Sequence, residues 1–548
     1  MPDWVRRSIT AHPDRPALTD GQTMMTYADL GAAIDHVGTS LRDRGVRRGD
    51  RVIVDAERGL TQAVTMLAIL DLRAAVAVVD LQRRTQWADH AIAKINPKLV
   101  LTTDAGEPTS TPGDAHGSPS PGDAAYLLPT SGTTGRPKVV AVPHGALANR
   151  VRWAQRCYPL HANDVVLQLS SPAFDFAFWE LLAPLCVGAM VAIAPAYSEA
   201  EPSELVTFMA ATGVTVAHFV PSLLAEYLAG SGGSGLAGLR YLLCGGERLT
   251  ADLCRRVRAV TQARVLNQYG PTEACIDFLT HEVTATDTDP IPIGRPIDGV
   301  TTHVLGPHGE RVPDGQPGLL YVGGACLAWG YLGDAARTAE MFVPAADGQR
   351  LYNTGDLVRR RPDGVMEILG RADEQVKIRG VRLEPAAVEA TLVAHPAVRH
   401  AIVLVSGEQL VAHLVLDEDC PDDELRSFLG DRLPPAAVPS QYVRHSTLPK
   451  LPNGKVDRMA LLGSSVPTET TDDAESVMER RIAHLWAGVL GVPSVGRSAD
   501  FFTLGGNSLL AMRMVARVRK QFGVRVPVRL IFDAPTLAAY SAHLEQLT

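Results

Sequence analysis

Over the first 220 positions the apolar residues gather into short runs, many of them β-branched: RVIVDA (51–56), KLVLTT (98–103), VVLQLS (165–170), AMVAIA (189–194) and TVAHFV (215–220). Helix-length stretches such as LTQAVTMLAILDLRAA (60–75) and PSELVTFMAATG (202–213) separate several of them. That alternation predicts an α/β fold with a mostly parallel sheet. From about residue 300 the texture changes. THVLGPHGERVP (302–313) and LVRRRPDGVMEILG (357–370) place Gly, Pro and Asp between apolar-polar alternations, the pattern of antiparallel hairpins. The tail, 475–548, reads as helices, with Val477, Ile482, Leu485, Trp486, Val489 and Leu490 on one stripe. The most apolar run, LLAPLCVGAMVAIAPA (181–196), is broken by Pro184, Gly188 and Pro195. It predicts a helix end followed by a buried strand, not a membrane span.

Two polar stretches interrupt the pattern. Residues 104–123 are crowded with Gly, Pro, Ser and Thr and predict a mobile loop. Residues 463–475 read as a linker, about 20 Å long on average if flexible. A chain of 548 residues is too long for one core and predicts two to four domains. The formal charge of −8 lends no support to a nucleic-acid binder. Seven cysteines without paired spacing read as reduced thiols, and the N-terminus has no apolar targeting segment, so the cytoplasm is the expected compartment.

The first chemical signal is TSGTTGRPKVV (130–140), after the apolar run AAYLLP. Glycines let backbone N–H groups converge on an anion and hydroxyls add donors, so a phosphate cradle is the functional reading and a surface turn the alternative. The Gly-Lys-Ser/Thr end of a Walker loop is missing. This stretch resembles the signature loop of the adenylate-forming enzymes, the superfamily of acyl-CoA synthetases, luciferases and nonribosomal peptide synthetase adenylation domains. Further motifs follow in order: MTYADL (25–30), NQYGPTE (267–273), GLLYVGGACLAWGYL (318–332), YNTGDL (352–357), GRADEQVKIRGVRLEPAAVE (370–389) and LPNGKVDR (451–458). The tail DFFTLGGNSLLAMR (500–513) resembles the attachment motif of a peptidyl or acyl carrier protein.

The resemblance implies an adenylation domain fused to its carrier. The implied architecture is α/β: a large N-terminal core with parallel-sheet layers and a β-rich part (1–372), a small mobile α+β subdomain (373–462), a linker (463–475) and an all-α four-helix carrier (476–548). It implies that an amino-acid carboxylate is joined to the α-phosphate of ATP and then passed as a thioester to phosphopantetheine on Ser508. The phosphate loop is implied at Thr130, Ser131, Gly132, Thr133, Thr134, Gly135 and Lys138. Tyr269 is implied against adenine, Asn267 at its edge, Thr272 near the α-phosphate, Glu273 on Mg2+, Asp356 on the ribose and Arg371 nearby. Lys455 would bridge carboxylate and phosphate as charge builds, and Asp373 is the implied hinge that alternately delivers and withdraws it.

Asp175, in SSPAFDFAFWELL (170–182), matches the acid that pairs with the α-ammonium of an amino acid; a helix-capping role is the alternative. By motif register the pocket comprises Asp175, Phe176, Trp179, Leu223, Leu243, Gly245, Gln268, Ile276, Asp277 and Lys455, with softer register at Leu223 and Leu243. Phe176 and Trp179 shorten it, and Gln268 and Asp277 need partners if buried. A polar substrate is expected, hydroxylated first and basic second. Val139, Trp329, Asn353 and the run 70–81 depart from the usual family pattern. Expected partners are the amino acid, a phosphopantetheinyl transferase and downstream synthetase domains or tailoring enzymes, with a small activator of the MbtH-like kind left open by the sequence; nucleic acid and membrane are not expected. No condensation or thioesterase domain is expected within these 548 residues. The rival readings are an acyl- or aryl-CoA synthetase and an inactive docking scaffold. As a hydrolase nucleophile Ser508 fails, because GNSLL lacks the second glycine of GxSxG.

Overall fold

The structure is a computed structural model. It describes residues 2–81, 85–102, 109–112, 124–130, 136–195, 202–345, 347–372, 375–378, 381–406, 409–449, 456, 458–462, 476–490, 494–501, 504, 508–524, 526, 530–531 and 534–545. The chain divides into two compact units, the first ending at Arg382 and the second running from Leu383.

Two large sheets organise the first unit. In the nine-stranded sheet six neighbouring strands run parallel, in the order Arg264–Tyr269, Tyr241–Gly245, Val216–Phe219, Val165–Gln168, Met190–Ile193 and Pro16–Thr19. Antiparallel strands close both ends: Leu279–Glu282 and Arg295–Pro296 on one side, Met24–Thr26 on the other. The seven-stranded sheet is parallel through Ala124–Thr130, Ala75–Val79, Arg51–Asp55 and Leu99–Thr102. Lys138–Pro143 joins it as an antiparallel neighbour of Ala124–Thr130. A third, five-stranded sheet, wholly antiparallel, holds Val300–Leu305, Pro317–Gly324, Arg350–Arg360, Phe342–Pro344 and Met366–Arg371.

Strand alternation distributes the core. Tyr241 and Leu243 join the large cluster that also takes Val52, Val54, Val76 and Val78 from the seven-stranded sheet; Leu242 and Cys244 join a separate cluster on the opposite face. With a side-chain period of two, each strand of the parallel sheet serves both clusters.

The predicted strands all form. The apolar run 181–196 divides as expected, with helix Phe176–Leu185 giving way to strand Met190–Ile193. Three expectations are corrected. Within 104–123, Thr109–Pro112 is not loop but an edge strand antiparallel to Leu99–Thr102. Thr is β-branched, and Pro is tolerated on an edge. The stretch 302–313 closes on itself only through a bridge between Leu305 and Arg311; the strand Val300–Leu305 pairs along its length with Pro317–Gly324 instead. Val477 leaves the tail stripe and is 66% exposed, because it opens its helix, Val477–Leu490.

In the second unit helix Pro385–Val393 packs on a sheet of Val398–Ser406, Gln409–Leu416 and Gln441–Arg444. The tail forms helices Val477–Leu490, Ser508–Phe522 and Leu537–Glu545 around Trp486, which lies edge-on to Phe501 with centroids 5.0 Å apart.

Candidate functional site

Three parallel strands present their C-terminal ends together. Register pairs His218 with Leu243 and Gly245 with Gln268. Leu243 and Leu266 belong to the large core, so alternation turns His218, Gly245 and Gln268 to that same side. Helix Phe176–Leu185 supplies Phe176 and Trp179, whose ring centroids are 5.4 Å apart. The structure brings Phe176, Trp179, Leu243, Gly245, Gln268, Ile276 and Asp277 near one another. Leu223 goes elsewhere: it is half-buried against the opposite cluster. Asn267, expected at the adenine edge and not in this pocket, faces the other side of the strand from Gln268, and its amide donates to the Pro292 carbonyl at 2.7 Å.

His218 is a member that motif reading missed. Its ring stacks on Phe176 at 3.7 Å, and a Cβ at Gly245 would lie 3.5 Å from its Nε2. Burial, with the Arg150 charge, pushes it down to about 3, so it is neutral at working pH. Its presence was legible from parity, because it stands two residues after Val216 in TVAHFV.

Asp175 stands at the N-cap of helix Phe176–Leu185 but makes no side-chain cap bond, which removes the bland reading. Its Oδ2 is buried without a hydrogen-bond partner among the described residues. Burial pushes the carboxyl up to about 6, reinforced by Asp277 and opposed by the Thr272 side chain, the Ile276 backbone and the Lys377 charge. Such a group gains most from a cation brought to it.

The turn after Arg264–Tyr269 carries Thr272 and Glu273 in a short 3-10 segment, Thr272–Ala274. Cys275 and Ile276 follow with φ of 55° and 75°. Two successive left-handed residues, one β-branched, are strained, and they swing Ile276 and Asp277 back against Gly270. A Cβ at Gly270 would lie 2.5 Å from Asp277 Cα.

Glu273 is fully buried. Tyr331 Oη donates to its Oε1 at 2.8 Å, and Arg382 Nη1 reaches its two oxygens at 3.3 and 3.1 Å. Burial alone would raise its pKa; the charges of Arg382 and Lys138, with the Tyr331 hydroxyl, outweigh it and hold the carboxylate below its ordinary range. It is thus an ionised oxygen donor of the kind Mg2+ accepts. Lys138 opens its strand, buried, with Nζ 5.6 Å from the Tyr331 ring. Tyr269 Oη donates to Asp356 Oδ2, and Arg371 Nη1 donates to Asp356 Oδ1 at 2.7 Å. One aromatic face, one carboxylate and one guanidinium thus stand together. Thr130 ends the strand before the glycine-rich loop. Ser131, Gly132, Thr133, Thr134, Gly135, Asp373 and Lys455 lie outside the described residues. Ser508 is the first residue of helix Ser508–Phe522.

A second group missed by motif reading sits behind the pocket. Arg150, on helix His144–Cys157, donates through Nε to Asp277 Oδ1 and through Nη2 to Tyr158 Oη at 2.6 Å. Gln268 Nε2 donates to the same Tyr158 oxygen at 2.9 Å.

Set beside known proteins, the chain matches the AMP-binding enzyme family over residues 5–332, the AMP-binding enzyme C-terminal domain over 387–455 and the phosphopantetheine attachment site over 480–544. The fold is that of an adenylate-forming enzyme followed in sequence by a carrier domain. The chain belongs to the AMP-binding enzyme family. Phosphinothricin tripeptide synthetase PhsB of Streptomyces viridochromogenes is 36% identical to it, covering 97% of this chain and 48% of that protein. Enterobactin synthase component F of Escherichia coli K12 is 35% identical, covering 96% and 44%. The chain thus spans about half the length of these curated relatives. Among solved structures, holo-PA1221, an NRPS protein containing adenylation and PCP domains bound to a vinylsulfonamide inhibitor, superposes with a TM-score of 0.83 at 28% identity, over 100% of this chain and 96% of that one. Among the described residues no helix is long and apolar enough to cross a membrane, and all seven cysteines are free thiols.

Proposed function

We propose that this chain activates an amino acid with ATP, releasing pyrophosphate, and transfers the aminoacyl group to phosphopantetheine on Ser508 of its own carrier, in the cytoplasm. The observation that carries the amino-acid reading is Asp175: a shielded carboxylate oxygen with no described partner, at the head of the pocket helix and not capping it. An α-ammonium supplies the missing cation; a fatty or aryl acid does not.

In this reading residues 1–372 form the catalytic core, 373–462 the mobile subdomain, 463–475 the linker and 476–548 the carrier. The phosphates meet the loop 130–138, the adenine meets Tyr269, and the ribose hydroxyls take the Asp356 carboxylate with Arg371 beside it. Glu273, which Arg382 contacts at both oxygens, would hold Mg2+. Thr272 and Lys455 flank the reacting carboxylate and α-phosphate, where positioned charge lowers the barrier. Phosphopantetheine, when attached, supplies the thiol. The start of a 15-residue helix is a favourable place for its phosphodiester. A phosphopantetheinyl transferase, later synthetase domains and an MbtH-like activator are the proposed partners. The proposed substrate has a polar side chain, hydroxylated by first preference.

ATP–pyrophosphate exchange over a panel of amino acids tests this. Exchange is expected with polar amino acids, and Asp175→Ala and Lys455→Ala each lower it by at least 100-fold. Release of an acyl-CoA from free CoA, with no amino acid active, would point to the CoA-ligase reading instead.

A further inference from the structure

We propose that Arg150 is a specificity-determining, positioning residue: by holding Asp277 in an ion pair behind the pocket, it sets the pocket for an uncharged polar side chain and against a cationic one. The inference rests on the amino-acid reading above and narrows it.

On sequence, Asp277 could serve as counter-ion to a basic substrate. In the structure that position is taken. Arg150 and Asp277 are 1% and 2% exposed, and the guanidinium packs over three aromatic rings, Trp153, Trp179 and Tyr158, at 4.9, 5.6 and 5.8 Å. Burial alone would lower the Arg150 pKa; the Asp277 carboxylate and Tyr158 oxygen outweigh it and hold the pKa above the ordinary arginine value. The cation is therefore permanent and enclosed. Around the pocket, Asp175 lies at the ammonium end and feels the Lys377 charge, while His218, which is neutral, lies beside Glu180, whose carboxyl burial pushes up to about 8.

The pair leaves hydrogen-bonding capacity of both kinds. Arg150 Nη1, a donor, has no partner among the described residues; neither do the acceptors Asp277 Oδ2 and Gln268 Oε1. All three belong to side chains at least 97% buried. Charge balance is the selective element. A cationic side chain reaching Asp277 meets a carboxylate already neutralised, with a second cation directly behind it, in a buried site where solvent screens the two only weakly. An anionic side chain instead meets the like charge of Asp277 itself. A hydroxyl or carboxamide meets neither penalty, and it can both donate and accept. Arg150 lies outside the positions that motif register assigns to the pocket, because it comes from the helix behind them.

The test is substrate preference measured by ATP–pyrophosphate exchange on the full chain, comparing matched neutral, cationic and anionic side chains: glutamine, ornithine and glutamate. The wild type is expected to favour the neutral member by at least 10-fold over each charged one. Arg150→Met frees Asp277 and is expected to move preference at least 10-fold toward ornithine. Asp277→Asn leaves Arg150 uncompensated and is expected to move it toward glutamate. A merely structural role predicts that both variants lose activity without changing the order of substrates. If Arg150→Met does not fold, Asp277→Asn still decides the sign. Wild-type preference for ornithine, or an unchanged order in the folded variants, overturns the inference while leaving the adenylation reading intact. Absence of exchange with every amino acid removes both.

Discussion

Asp175 shows how much one oxygen atom can decide. At a helix N-cap, an aspartate ordinarily bonds a backbone N–H of the first turn. Here it does not, and burial lifts it to about 6. The sign follows directly. Below about pH 6 the free enzyme holds a proton on Asp175, and a neutral acid is a poor partner for an ammonium. Above that pH the carboxylate is available. The acid limb of kcat/KM for the amino acid in pyrophosphate exchange is therefore expected to fall through about pH 6, and Asp175→Asn to abolish that limb along with most of the activity. An acid limb that stays at the same pH in the residual activity of Asp175→Asn would assign it to another group. Asp175 was legible as a candidate because its motif is local. Arg150 was not, since nothing in HGALANRVRW distinguishes a buried arginine from a solvated one until the helix is packed.

At the scale of elements, strand parity and one strained turn build the pocket. Register across Val216–Phe219, Tyr241–Gly245 and Arg264–Tyr269 aligns His218, Gly245 and Gln268, and the same parity sends Asn267 to Pro292. The turn that follows needs a residue without Cβ at Gly270, where an added Cβ would lie 2.5 Å from Asp277 Cα. Both neighbours there are backbone, so relief requires moving the Ile276–Asp277 segment itself. Gly270→Ala is expected to destabilise the protein by about 1–3 kcal/mol, the usual range for an added methyl in a packed site. It should raise KM for the amino acid more than for ATP. Thermal unfolding with separate substrate titrations checks both parts. The alternation of β-branched and helical runs was readable because period two and period 3.6 are local properties. The pairing of Val300–Leu305 with Pro317–Gly324 was not, because a hairpin signal cannot tell which later strand will cover the edge.

At the scale of the molecule, the chain carries an activating unit and an attachment site in one polypeptide, matched by separate family models over 5–332 and 480–544. In the proposed function the two chemistries are separable. Ser508→Ala is expected to leave pyrophosphate exchange within about twofold of wild type, since Ser508 takes no part in adenylate formation. It should also abolish the mass increases expected from phosphopantetheine attachment and aminoacyl loading. Intact-protein mass spectrometry after incubation with a transferase, CoA, ATP and amino acid reads both steps. Loss of exchange in this variant would instead tie the serine to the activating unit.

The order of motifs from MTYADL to the serine-bearing tail was enough, without coordinates, to name the family, because each motif is a contiguous segment that can be recognised locally. Which charges meet was decided only by the tertiary structure. Asp277 and Arg150 stand 127 residues apart, and Arg382 and Glu273 stand 109 apart. Whether a buried carboxylate is available to a substrate or already paired depends on how distant elements pack, and only the packed chain brings those partners within hydrogen-bonding reach.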